Sequence, residues 1–111
     1  MASARFFSLI MDAKSALNAL SDELKSPELF AVDELTYYIM FSPGTSAGAV
    51  QIESAHLSGY TGTWAAEGSP VAWVAADRVH KLSITGVSFV SRARISTGIV
   101  GGTVSVYAVG N

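Results

Sequence analysis

The 111-residue chain contains no cysteine and few charged residues. Without cysteine it can form neither a disulfide framework nor a thiolate metal site or nucleophile, so its stability has to come from packing. Only 14% of the residues are charged while 50% are hydrophobic, which leaves much of the surface to Ser, Thr, Gly and Ala. Proteins that work alone usually carry more surface charge, so this composition favours a protein that lives inside an assembly. An ordinary soluble monomer with a bland surface is the alternative.

Charge and hydropathy argue against a nucleic-acid partner and against a membrane partner. The net charge is −2, and the late cations are scattered where phosphate-backbone binding needs a dense basic stripe: Arg78, Lys81, Arg92 and Arg94. The apolar run over residues 6–11 is interrupted by Asp12 and Lys14, too early for a secretory signal or a membrane span. The length fits one domain over residues 1–111, which we expect to be soluble and unexported.

From Leu35 onward the sequence alternates like an antiparallel β protein. Residues 35–41 are apolar on both faces, so we expect this strand to be covered on both sides. Residues 42–46 predict a turn, and residues 49–55 a half-buried strand that pairs with the first as a hairpin. Residues 58–70 indicate a long loop with room for one short strand, and further strands are expected at 71–75, 79–85, 87–96 and 103–109. One-sided sheets need a second sheet to cover them, which predicts a mainly β, antiparallel, jelly-roll-like sandwich.

The first third of the chain allows two interpretations. Apolar residues at helical spacing over 13–24 predict a helix of two or three turns, rich in Ala and Leu. Alternatively, a first strand over residues 6–11 leads into a loop. Pro27 should end either element, because the residue before proline avoids helical geometry. Residues 1–30 are therefore a candidate N-terminal arm or helix.

No pattern of residues predicts catalysis, a cofactor or a metal site. Residues 44–48, GTSAG, match the G-x-S-x-G pattern of a hydrolase nucleophile elbow around Ser46. That elbow needs a following helix, whereas a strand is predicted here, so a hairpin turn of small residues is favoured. His56 and His80 lack the spacing of metal ligands, and we expect His80 to be a hydrogen-bonded core or interface residue. The chain is thus not predicted to be an enzyme.

Four residues are predicted to belong to a protein interface: Tyr60, Trp64, Arg92 and Arg94. Tyr60 and Trp64 lie in a Gly-rich loop, where aromatic rings serve either as core or as interface anchors, whereas Trp73 is expected in the core. Arg92 and Arg94 share a strand face and form a basic patch suited to acidic groups on a partner. The alternative for these two arginines is an ordinary solvated strand face.

Short Val, Thr and Ser strands joined by Gly-rich loops recur in four segments, GAVQIESA at 48–55, YTGTWAA at 60–66, ARIST at 93–97 and GGTVSVYAV at 101–109. In these segments the chain resembles small β-sandwich virion proteins of tailed bacteriophages. The resemblance implies a capsid cement or decoration protein on the virion surface. Such a protein is made in the host cytoplasm, binds the major capsid protein, often as a homotrimer, and stabilises the shell.

Two other functions remain as alternatives. A head-fibre, tail or carbohydrate-binding module would attach to the host through Tyr60, Trp64 and Trp73, since aromatic rings stack on sugars. A small hydrolase would act through Ser46, against the missing context of the elbow.

Overall fold

The computed structural model describes residues 6–25, 34–75, 78–85 and 90–110. Within these ranges the chain forms eight β-strands: β1 Phe6–Lys14, β2 Leu24–Lys25, β3 Glu34–Phe41, β4 Ala47–Ala55, β5 Ala65–Ala72, β6 His80–Thr85, β7 Val90–Val100 and β8 Val104–Gly110. The same ranges contain no helix, and so none that is long and apolar enough to cross a membrane.

The strands form two four-stranded antiparallel sheets, with the orders β1-β8-β3-β6 and β2-β7-β4-β5. Four strand pairs are those expected of one long folded-over hairpin, from its open end to its tip: β1 with β8, β2 with β7, β3 with β6 and β4 with β5. Rolling up such a hairpin adds the β3–β8 and β4–β7 pairs. This arrangement is a jelly roll, so the predicted antiparallel sandwich is confirmed.

The core lies between the two sheets and follows the alternation of the strands. On β8, Val104, Val106 and Ala108 are fully buried, while the residues between them are half-buried on the outer side. The other strands contribute the remaining large core side chains: Ile10, Met11, Tyr37, Ile39, Phe41, Val50, Ile52, Ile95 and Ile99. Each of these stabilises the fold by roughly 1.5–3 kcal/mol relative to an exposed position, which is how a chain without cysteine holds together.

Strands β3 and β4 follow each other in the chain but lie in different sheets, so the predicted hairpin is wrong. The turn over residues 42–46 instead carries the chain across the top of the core, and Ser46 donates its backbone N–H to the carbonyl of Val100 at 2.9 Å. The physical reason is that both strands have a strongly apolar face. Those faces are buried better against each other across the core than side by side in one sheet.

Residues 6–14 form strand β1, which confirms the strand predicted over residues 6–11, and the alternative helix over 13–24 is wrong. Ala13 and Asn18 have φ angles of 50° and 67°, in the left-handed region that a right-handed helix excludes. Leu17 and Leu20, whose spacing suggested a helix, are exposed and share no buried face.

The segment after β1 crosses the edge of β7. Ser21 donates its backbone N–H to Ala93 at 2.9 Å, and Leu20 forms a bridge with Arg94. Because β1 pairs with β8 along its length, residues 6–25 belong to the sandwich and not to a free arm. Residues 1–5 and 26–30 of the candidate arm lie outside the described residues.

The predicted strand at 71–75 and the long loop at 58–70 are corrected together, because one strand, β5, runs over Ala65–Ala72. Pro70 lies within it, which is compatible with β5 being an edge strand, where a missing N–H disturbs no sheet pairing. The strands predicted late in the chain correspond to β6, β7 and β8, apart from residues 86–89, which lie outside the described residues.

Candidate protein interface

The outer face of the β2-β7-β4-β5 sheet carries a charged cluster centred on Glu53. Val50 and Ile52 point into the core, so alternation along β4 directs Glu53 outward, and Arg92 is its cross-strand partner on β7. Glu53 Oε1 accepts a hydrogen bond from Arg92 Nε at 3.1 Å, and Oε2 accepts one from Arg94 Nε at 2.9 Å. Only 8% of the Glu53 side chain is exposed, which makes this a shielded, charge-assisted contact.

The guanidinium of Arg92 lies over the indole ring of Trp64, with its carbon 3.8 Å from the ring centroid. This is a cation–π contact, worth about 0.5–2 kcal/mol depending on solvation. Trp64 is only 6% exposed, and its Nε1–H donates to the backbone carbonyl of Tyr60 at 2.8 Å. Trp64 therefore supports Arg92 from below and presents almost no ring surface of its own.

Tyr60 lies half-buried in the loop between β4 and β5, where it packs edge-on against His56 with ring centroids 4.9 Å apart. The loop is held by Glu23, whose carboxylate accepts hydrogen bonds from the Ser58 hydroxyl and the Gly59 N–H. Its conformation is therefore fixed from the neighbouring segment, and with it the position of Trp64.

Arg94 is the most exposed member of the charged cluster. Its side chain is 30% exposed, and its Nη1 donates to the Asn18 side-chain oxygen at 3.0 Å. The Nη groups of Arg92 donate to no acceptor among the described residues, and those of Arg94 donate only to Asn18. Two guanidinium groups and one carboxylate leave the cluster with a net positive charge.

The four residues predicted as a protein interface thus lie together, around an acid that sequence reasoning missed. The alternation over residues 49–55 places Glu53 on the face opposite Val50 and Ile52, and this was visible in the sequence. Its meeting with both arginines depends on the β4–β7 register, which has no local signal. Contact of this cluster with a partner stays a prediction.

The outer face of the other sheet carries an apolar patch. The register places Leu9, Tyr107 and Tyr38 in one row across β1, β8 and β3, with Lys81 of β6 at its end. Phe7 stacks on Tyr107 with ring centroids 5.6 Å apart and is itself 67% exposed. A shallow groove on this patch is lined by Phe7, Tyr38, Met40, Val79 and Tyr107.

We call this surface the aromatic face and define it by six side chains: Phe7, Leu9, Tyr38, Met40, Val79 and Tyr107. Sequence reasoning did not single these residues out. Part of the aromatic face was nevertheless indicated by the sequence, because residues 35–41 are apolar on both faces and were expected to be covered on both sides. On the outer side of β3 the described residues leave Tyr38 half-buried and Met40 exposed.

The other candidate residues take structural positions. Ser46 lies in the turn before β4, so a strand follows it where a nucleophile elbow has a helix. His80 is buried and accepts the Val74 N–H on Nε2 at 3.0 Å, as expected for a hydrogen-bonded core histidine, and Trp73 packs against the core. Within the described part of the chain, no group of three His, Asp or Glu side chains is placed to hold a metal ion.

Comparison with known proteins gives no further guide to function. No protein-family model, no curated protein and no solved structure matches this chain. The two outer faces of the sandwich therefore carry the functional argument.

Proposed function

We propose that the protein is a capsid cement protein of a tailed bacteriophage, which binds the shell of major capsid protein as a homotrimer and stabilises it. The observation that carries the proposal is the aromatic face, an apolar sheet surface that the described residues leave open. Jelly rolls occur in viral capsid proteins and in lectins alike, so the surface and not the fold supports one function over another.

The aromatic face calls for a partner because it is contiguous. Scattered exposed apolar side chains are normal, whereas a connected patch of them marks an interaction surface. Covering such a patch is favourable by roughly 25 cal/mol per Å² of apolar area, reduced by the cost of association. Phe7 and Tyr107 already stack on each other, so little side-chain freedom would be lost when a partner covers them.

The shape of the face supports a capsid shell as that partner. The face lies on a four-stranded sheet without a deep cleft, which suits a broad protein surface better than a small ligand. A shell presents the same surface many times, so modest contacts of each copy add up when three copies bind together. The low content of charged residues suits a protein whose surface is largely buried in an assembly.

The burial of Trp64 favours the shell over a glycan. A carbohydrate-binding module needs an exposed ring on which a sugar can stack. Trp64 is 6% exposed and Arg92 lies over its ring, so the loop that suggested sugar binding presents little aromatic surface.

The test is co-sedimentation of the protein with shells assembled from the major capsid protein of the phage that encodes it. The double variant Phe7→Ser/Met40→Ser removes two exposed apolar side chains from the aromatic face. The matched control, Leu57→Ser/Val100→Ser, removes two exposed apolar side chains outside it.

We expect the wild type and the control to bind and to raise the temperature at which the shells fall apart. The Phe7→Ser/Met40→Ser variant should bind at least about tenfold more weakly, equivalent to about 1.4 kcal/mol. Equal binding by both double variants would contradict the assignment of the face. If the wild type fails to bind shells but is retained on a glycan array, the partner is a host sugar and not the shell.

A further inference from the structure

We propose that Arg92 and Arg94 form a binding site for a carboxylate group on an acidic protein segment. The site lies on the outer face of the β2-β7-β4-β5 sheet, opposite the aromatic face. It does not depend on what covers the aromatic face, and it would give the protein a second surface for a second partner.

The two guanidinium groups are held in place before any ligand arrives. Glu53 accepts the Nε–H of each arginine on a separate oxygen. Trp64 supports the plane of Arg92, and Asn18 accepts one Nη–H of Arg94. Because these contacts already restrict the side chains, a ligand loses less affinity to ordering them than it would on free surface arginines.

The contacts leave most of the donors of each guanidinium unused. A guanidinium carries its N–H groups in one plane, and stacking on Trp64 consumes none of them. Glu53 is 8% exposed whereas the side chains of Arg92 and Arg94 are 14% and 30% exposed, so the acid lies beneath and the cations lie above. The remaining donors are therefore the part of the cluster that a ligand can reach.

Charge identifies the class of ligand. One carboxylate offsets one of the two arginines, so a single further negative charge makes the cluster neutral. A carboxylate fits that requirement and accepts two parallel N–H bonds from a guanidinium edge. A nucleic acid needs many cations along a stripe, and Lys81 lies on the opposite sheet.

The experiment is a titration of the full chain with a hexaglutamate peptide, followed by nuclear magnetic resonance of the arginine Nε–H and tryptophan Nε1–H groups. Hexaglutamine at the same concentration controls for the peptide backbone, and sulfate controls for anions in general. We expect hexaglutamate to shift the signals of Arg92, Arg94 and Trp64, and the two controls to leave them in place.

Two variants with the same change in net charge test where the peptide binds. Arg94→Gln removes the exposed cation of the site, and Lys81→Gln removes a cation from the other sheet. Arg94→Gln should weaken hexaglutamate binding by about tenfold, while Lys81→Gln changes it by less than about twofold. Equal weakening of hexaglutamate binding by both variants would mean that the peptide is held by general charge attraction and not by this site. Unmoved arginine signals, or equal shifts with sulfate, would overturn the proposal.

Discussion

The side chains of Tyr37 and Ser91 meet in the interior of the sandwich and hydrogen-bond one sheet to the other. Ser91 also donates to the backbone carbonyl of Glu53 at 3.2 Å. The carboxylate of the same Glu53 holds Arg92 and Arg94 on the outside. The polar contact inside the core and the charged cluster outside it are thus connected through one residue of β4.

Burial makes Tyr37 a source of alkaline sensitivity. Desolvation raises the pKa of its hydroxyl well above the usual value, and the negative charge of Glu67 adds to that, while the hydrogen bond with Ser91 acts in the opposite direction. In the unfolded chain the group ionises near its usual pKa of about 10. The stability that it contributes is therefore fully present below about pH 10 and is lost as the pH rises towards the folded-state pKa.

We predict that Tyr37→Phe lowers the free energy of unfolding by about 1 kcal/mol at neutral pH, because one buried hydrogen bond is lost. Above about pH 10 the wild type should lose stability more steeply than the variant, by up to about 1.4 kcal/mol per pH unit. Urea denaturation of both proteins across this range measures the difference. Parallel curves would show that Tyr37 ionises as readily in the folded protein as in the unfolded chain.

Glu53 is predicted to stabilise the fold as well as the cluster. Glu53→Gln removes the negative charge that both arginine Nε–H groups contact, and leaves two like charges beside each other in a partly buried place. We expect a loss of about 1–3 kcal/mol in the free energy of unfolding. Glu34→Gln, at the exposed start of β3, is the control and should change it by less than about 0.5 kcal/mol. Similar values for the two variants would mean that the cluster contributes nothing.

The turns at one end of the sandwich approach each other too closely for a side chain. Gly101 has a φ of +83°, and a Cβ there would lie 2.4 Å from the backbone oxygen of Gly44. Gly59 has a similar φ of +73° but open space around it. Gly59→Ala should therefore cost about 1–2 kcal/mol from backbone strain alone, and Gly101→Ala clearly more. Thermal denaturation measures the loss of stability in each variant. Equal losses would show that the close approach of Gly101 to Gly44 adds nothing to the cost of a side chain.

Strand positions could be predicted where the apolar alternation is strong, as in β3, β4 and β8. Their partners could not, because a turn of five small residues connects a hairpin and a crossing between sheets equally well. Between β3 and β4 the turn makes a crossing, and only the need to bury both apolar faces selects it. The sequence also contained one indication of the aromatic face. Residues 35–41 are apolar on both sides, which predicts that both sides are covered, yet the described residues leave Met40 exposed on the outer side.

The segment after β1 shows how a helical spacing can mislead. Leu17 and Leu20 fit one side of a helix, but the positive φ angles at Ala13 and Asn18 turn the chain so that it follows the edge of β7. Asparagine tolerates that conformation better than most residues, while the turn at Ala13 has no signal in its residue type. The charged cluster was predictable as a set of two arginines, and its central acid was not, since Glu53 and Arg92 become neighbours only through the register.

Hydroxyl-radical footprinting of the free and the shell-bound protein tests the role of the aromatic face most directly, because aromatic rings and methionine are readily oxidised. Phe7, Tyr38, Met40 and Tyr107 should react in the free protein and be protected on shells, while Leu57 reacts equally in both. Unchanged oxidation of these four side chains on saturated shells would contradict the account.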